Sequence, residues 1–165
     1  MRFDRRILAL VLGGIVGAVS LAAQDNPPPP VLVAAPEPPP VFEELKQIVQ
    51  RAAIPKLSGE RPFILRETTW TGQVEPGKAR LIQLQLFKRN DYQFWFVVPD
   101  RQAGLNLHLY NGKGELVEGN RETYETPNLV GLTVSAAETG VYYLRISMQT
   151  TAEASQPWTV IYAYR

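Results

Sequence analysis

The sequence has no cysteine and one histidine in 165 residues. Without cysteine there is no disulfide, no thiol nucleophile and no thiolate metal ligand, so any folded part must hold by packing alone. A single imidazole, His108, excludes multi-histidine metal centres and leaves a serine triad only one base to draw on. No serine stands in a nucleophile elbow, because Ser58-Gly59 lacks the flanking glycine and the preceding strand. Gly112-Lys113-Gly114 has no P-loop spacing around it, which removes the usual phosphate cradle. Paired carboxylates are the remaining route to hydrolysis. Glu115, Glu118, Glu122 and Glu125 cluster in sequence, but Arg121 lies among them and no apolar run beside them suggests a pocket, so they read as a solvated loop. The expectation is a chain that is not an enzyme and takes no cofactor and no metal.

Charge of one sign is also missing. The formal net charge is +1, and removing residues 1–23 takes away three arginines and one aspartate and turns it to −1. Such a chain has no electrostatic footprint for nucleic acid. The removed stretch has the order of an export signal: arginines in Met1–Arg6, an uncharged apolar run from Ile7 to Ala23, and small residues at Ser20, Ala22 and Ala23. Cleavage after Ala22 or Ala23 is the expected outcome. The alternative is a retained anchor, but as a helix this run spans only about 26 Å against a hydrocarbon core of about 30 Å, and Gly13, Gly14 and Gly17 weaken it. In both cases the arginines stay inside and the rest of the chain is periplasmic or secreted; contact with a membrane would come only through an uncleaved segment. No cysteine follows the run to carry a lipid, and the residues around Arg5-Arg6 do not complete a twin-arginine signal.

Residues 24–40 contain Pro27–Pro30, Pro36 and Pro38–Pro40, a run that cannot form helix or ladder and prefers polyproline II. It reads as a spacer with a reach on the order of 40 Å, or else as a ligand for a proline-reading partner. An amphipathic helix follows at 41–55, with Phe42, Leu45, Ile48, Val49 and Ala52 on one stripe and Pro55 as its stop. Three turns are marginal alone in water, so the stripe must pack on the domain or on a partner.

From residue 61 to 165 the period is two. Strands are expected at PFILRETTW, LIQLQLF, DYQFWFVV, LNLHLY, at the return after Asn111–Gly114, at Leu129–Val134, in VYYLRISM and in WTVIYAYR. GQVEPGK, Lys88–Asp91 and Glu138–Gly140 are turns, Glu118–Asn128 a loop. DYQFWFVV is apolar on both faces and is therefore the most central strand or one covered on its outer face, for instance by the helix. The fold class is all-β: an antiparallel β-sandwich or jelly-roll of about seven to eight strands preceded by one short amphipathic helix.

The ordered series GKARLIQLQL, LNLHLYNGKGELV, ETGVYYLRIS and WTVIYAYR resembles the pre-peptidase C-terminal domain, a bacterial β-sandwich similar to the collagen-binding domains of secreted peptidases. The resemblance covers about residues 72–165 and rests on the order and spacing of motifs that are individually common. It implies a non-catalytic secreted module whose ligand differs from member to member. Asn111 stands where the family often has an aspartate, and no acidic cluster precedes the sandwich, so the resemblance brings no calcium site with it.

Function is then sought on outward positions. Trp95, Asn106, His108, Tyr110, Tyr143 and Arg145 form the candidate binding set, because flat amphipathic rings bind sugars and proteins with little entropy loss. They make an exposed patch if their strands share a sheet. In the plainer alternative Trp95 lies under the helix, the tyrosines are ordinary cross-strand pairs and His108 is a solvated strand histidine. The expected role is binding or accessory work in the cell envelope or outside the cell, with a protein or polysaccharide as partner. The alternative is an assembly subunit that docks on another envelope protein through the helix at 41–55.

Overall fold

The computed structural model describes residues 39–165; the expected signal segment and the proline-rich stretch up to residue 38 lie outside the described residues. Helix α1 runs Pro40–Ala53 and passes into a 3₁₀ turn at Ile54–Lys56. Pro40 opens it because the first helical N–H has no intrahelical partner to lose. Glu43 in the first turn and Arg51 in the last oppose the helix dipole. Pro55 does not end the chain's helical path abruptly, since its fixed φ is compatible with the tighter 3₁₀ turn that follows Ala53.

Nine strands follow: β1 (Ile64–Val74), β2 (Ala79–Leu86), β3 (Asp91–Val97), β4 (Gly104–Asn111), β5 (Leu116–Val117), β6 (Gly119–Thr123), β7 (Leu129–Ser135), β8 (Gly140–Gln149) and β9 (Gln156–Tyr164). The first sheet has the order β1-β9-β3-β7-β6 and the second β2-β8-β4-β5, with all pairings antiparallel. The chain changes sheet at most of its connections, the wiring of a jelly-roll-like sandwich.

The alternation that marks these strands in sequence is the alternation of burial. Leu105, Leu107 and Leu109 on β4 and Tyr142, Leu144, Ile146 and Met148 on β8 are buried and meet Phe94, Phe96 and Val160 of the first sheet in the inter-sheet core. Each fully buried side chain of this size contributes about 1.5–3 kcal/mol of transfer free energy, and in the absence of disulfides this core is what holds the sheets together.

Strand β3 is apolar on both faces because both are covered. Its Phe94 and Phe96 join the inter-sheet core, while Trp95 and Val97 join a second cluster with Leu45, Val49 and Ala53 of α1 and Ile161 and Ala163 of β9. The helix stripe is thus spent on the outer face of the first sheet.

Two expectations differ from the structure. Gly72–Val74 continues β1 in place of starting a turn, and the turn is confined to Glu75–Lys78, where Gly77 takes a positive φ of 74°. The other is the loop expected at 118–128, which contains β6. Its residues are polar because it is an edge strand with one neighbour, β7, and edge strands favour charged side chains. Gly119 is required there: a Cβ would sit 2.5 Å from a Val134 methyl and 2.6 Å from the Thr133 carbonyl oxygen.

Candidate functional site

The outward set divides between the sheets. On the second sheet Asn106 lies opposite Ser147, His108 opposite Arg145 and Tyr110 opposite Tyr143, so all the candidates on β4 and β8 share one face and are half-buried. The two tyrosines are a direct cross-strand pair, an arrangement that stabilises a sheet whether or not it binds anything. The next strand extends the face, with Leu81 opposite Arg145 and Gln83 opposite Tyr143. Leu81, Leu116 and Val141 leave apolar surface exposed there. His108 keeps Nδ1 buried with no hydrogen-bond partner.

Trp95 does not belong to this face. It is on the first sheet, fully buried beneath α1, and its indole N–H donates to the Tyr124 hydroxyl at 2.8 Å. The strand is covered by the helix on that side, so the indole fills the helix–sheet layer and cannot present itself to a ligand.

Trp95 leads into a polar chain that closes the same layer. The Tyr124 hydroxyl donates to Glu122 Oε2 at 3.3 Å, and Lys56 reaches Glu122 Oε1 at 2.7 Å from the 3₁₀ turn. Thr133 also donates to Glu122 Oε1, at 3.2 Å. Burial, and after it the Glu122 charge, pushes the Tyr124 phenol up to about 12. Glu122 is therefore a half-buried anchor between the helix end and β6, not the solvated loop residue expected from sequence. The arrangement is a clamp whose phenol stays protonated at neutral pH.

An aromatic-walled cleft lies elsewhere, between β1 and β2. These are edge strands of different sheets on one side of the sandwich. At one end they are joined by the Glu75–Lys78 turn, tied by a hydrogen bond from Gly77 N–H to the Met148 carbonyl at 3.0 Å and from Arg80 Nε to the Gln73 carbonyl at 3.1 Å. At the other end β1 loses register with β9. Leu65 pairs with Ala163 and Thr69 with Ile161, so Arg66, Glu67 and Thr68 form an irregular bulge against a single residue, Tyr162. A bulge at a sheet edge bends the strand and re-aims its side chains. Here Arg66 and Thr68 turn to the mouth of a cleft of about 440 Å³, within the range of small-ligand sites, about 300–1,000 Å³.

Aromatic rings line the wall on the first sheet. Trp70 stacks on Tyr162 with centroids 5.1 Å apart, and Tyr162 stacks in turn on Phe94 at 5.7 Å. Stacking on both sides of Tyr162 fixes the Trp70 plane, so the indole is held in place before any ligand arrives. Tyr92 and Tyr164 continue the wall, 6.4 Å apart. Tyr92 is also fixed from the other sheet side: its hydroxyl accepts from the Phe87 N–H at 2.8 Å. The opposite rim carries Gln83 and Gln85 of β2, with Asn90 at the end.

Arg66 is the only charged residue of the lining. Its guanidinium lies over the Tyr164 ring, 5.6 Å from the centroid, and is held above its already high ordinary value, first by polar contact with the Tyr162 hydroxyl and also by Tyr164. Among the described residues no carboxylate comes within ion-pair distance of it. Among the described residues, too, no three His, Cys, Asp or Glu side chains converge on a point that could hold a metal ion.

The cleft and the tyrosine-bearing face adjoin along β2, whose Gln83 borders both. Sequence reasoning found the face and missed the cleft. A trace of it was present: Arg66–Thr69 interrupts the alternation between Leu65 and Trp70, as a bulge does. In comparison with known proteins, no family model matches the chain and no curated protein is significantly similar to it.

Proposed function

We propose that this chain is an exported, non-catalytic β-sandwich module that binds a component of the cell envelope or extracellular space through the cleft between β1 and β2. The observation that carries the reading is the pre-set aromatic wall of Trp70, Tyr162 and Tyr164 facing an amide rim, with a bulge turning Arg66 and Thr68 to the opening. Such a site recognises shape and hydrogen-bonding pattern. Its lining has no carboxylate, imidazole or thiol, the groups that most often carry acid–base or nucleophilic chemistry near neutral pH.

Export rests on the arginine, apolar and small-residue order of residues 1–23. The motif order that resembles pre-peptidase C-terminal domains fits the same accessory role. Docking on a partner through the helix at 41–55 is the weaker reading, because Leu45, Val49 and Ala53 are already buried against the sandwich and the stripe that would drive docking is occupied.

The test is retention of the purified protein on insoluble envelope and extracellular polymers, beside Trp70→Ala and the rim variant Gln85→Ala. Retention should fall about tenfold or more in the first and measurably in the second, with circular dichroism and melting unchanged in Gln85→Ala. Equal retention by all three proteins would exclude the cleft. A hydrolase screen should be silent, and turnover abolished by a single side-chain change would overturn the non-catalytic assignment.

A further inference from the structure

We infer that the β1–β2 cleft takes an acidic saccharide, one whose sugar ring stacks on Trp70 and whose carboxylate meets Arg66; this rests on the binding role proposed above and names its ligand class. Three features of the site lead there.

The first is the combination of wall and rim. A sugar has an apolar C–H face and a ring of hydroxyls around its edge. Aromatic faces are electron-rich and attract the slightly positive C–H groups. The Trp70 ring is held by its stack on Tyr162 at 5.1 Å, so little entropy is lost when a ring settles on it. The polar groups around that wall are Gln83, Gln85, Asn90 and Thr68. Each side chain both donates and accepts, which suits hydroxyls that do the same.

The second is what the edge does not offer. An extended peptide would be captured by adding a strand to an exposed edge, through main-chain hydrogen bonds. β1 is an edge strand, but its ladder is irregular at Arg66–Thr68, on the stretch that borders the cleft. Bulges of this kind blunt edges against strand addition. On its β1 side the cleft is therefore suited to a ligand held by side chains more than to one held by backbone.

The third is charge. Arg66 is the one charged group of the lining, it is exposed, and no carboxylate of the described residues pairs with it. Its Cζ lies 5.6 Å from the Tyr164 ring centroid, which puts the guanidinium beside the wall. The planar fork of arginine meets a carboxylate through two parallel hydrogen bonds. A neutral sugar would leave this group unused, while a uronic acid would engage ring and charge together.

Calorimetric titration of the purified protein with three probes tests this: a uronic-acid oligosaccharide, the same oligosaccharide with its carboxyls reduced to hydroxymethyl groups, and the free monomeric uronate. The acidic oligosaccharide should bind, and the reduced one should bind about tenfold more weakly or worse. Arg66→Ala should remove that difference, and Arg66→Lys should restore part of it, with salt weakening only the acidic ligand. Binding of the monomer as tight as the oligomer would assign the site to a free sugar acid; tighter binding of the oligomer assigns it to a polymer, and both keep the acidic class. Equal affinity for acidic and reduced oligosaccharides overturns the acidic class while leaving the cleft a binding site. If no saccharide binds but a polymer or protein is retained in a Trp70-dependent way, the ligand class is wrong and the binding role stands. If Trp70→Ala changes nothing with any ligand, both fail. Arg66 is exposed on a bulge, so its variants should melt as the parent does, and that check separates lost binding from lost folding.

Discussion

Asp91 illustrates how one side chain couples the ends of the folded chain to pH. Its carboxylate accepts from the Ser135 hydroxyl at 2.6 Å and pairs with Arg165 at 3.2 Å, while Arg165 also covers the Phe63 ring at 4.4 Å. The Ser135 hydrogen bond lowers the Asp91 carboxyl below its ordinary 3.8, burial opposes it in second place, and Arg165 adds to the lowering. A folded value below the unfolded one adds stability that is complete above the unfolded value and is lost as pH falls through the folded one. Melting temperature should therefore be level near neutrality and decline below about pH 4. Asp100, held by Thr150, and Glu75, held by Lys78, shift in the same direction, so Asp91→Asn should flatten the acid side only in part. The same steepness in parent and variant would remove Asp91 from the account.

Helix α1 shows what an element contributes when propensity alone cannot hold it. Fourteen residues are near the lower limit for an isolated helix, yet Leu45, Val49 and Ala53 are buried and Trp95 lies wholly beneath them. Leu45→Ala should cost about 2–5 kcal/mol, read as a lowered urea midpoint with an unchanged slope. Deleting residues 40–56 should expose Trp95, Val97 and Ile161 together and leave a chain that does not fold to a monomer. A stable monomer after that deletion would mean that the helix is dispensable to the sandwich. The helix was legible in sequence because its stripe has a period near 3.6, while DYQFWFVV, apolar on both faces, left two alternatives: a central strand, or one covered on its outer face, for instance by the helix. Strand β6 was not. Gly119, Asn120, Arg121, Glu122 and Thr123 have no apolar alternation, since an edge strand is specified by its neighbour's backbone and by the room Gly119 leaves for Val134. The outward residues of β4 and β8 could be read from alternation alone, whereas Trp95 could not be placed, because which face of β3 the helix covers depends on packing between distant segments. The cleft was least legible of all: it exists because β1 and β2 are edges on the same side of two sheets, and edge position is a property of pairing order.

The whole molecule depends most on its last strand. β9 lies between β1 and β3 in the first sheet, and its two faces serve both cores: Val160 packs between the sheets, Ile161 and Ala163 under α1. Tyr162 and Tyr164 also build the cleft wall. β1, the first strand, is hydrogen-bonded within its sheet to β9 alone, so the beginning of the domain cannot find its place until the end of it is available. Contacts of such long sequence separation must be closed against loop entropy before they stabilise anything, which places folding in the slow, millisecond-to-second regime of β-sandwiches. Stopping the chain after Ser155 should therefore do more than trim an edge. It should separate β1 from the sheet, uncover Trp95 and the apolar stripe of α1, and abolish the cleft, giving a product without dispersed amide resonances. Adding a synthetic peptide of residues 156–165 to that fragment should restore native-like dispersion and saccharide or polymer retention in parallel, because the same strand completes core and cleft. Recovery of the spectrum without recovery of retention would mean that the Tyr162–Trp70 wall is not the binding surface, and a truncated chain already folded by itself would mean that β9 is an accessory strand and the order of the sheet is not what holds the domain together.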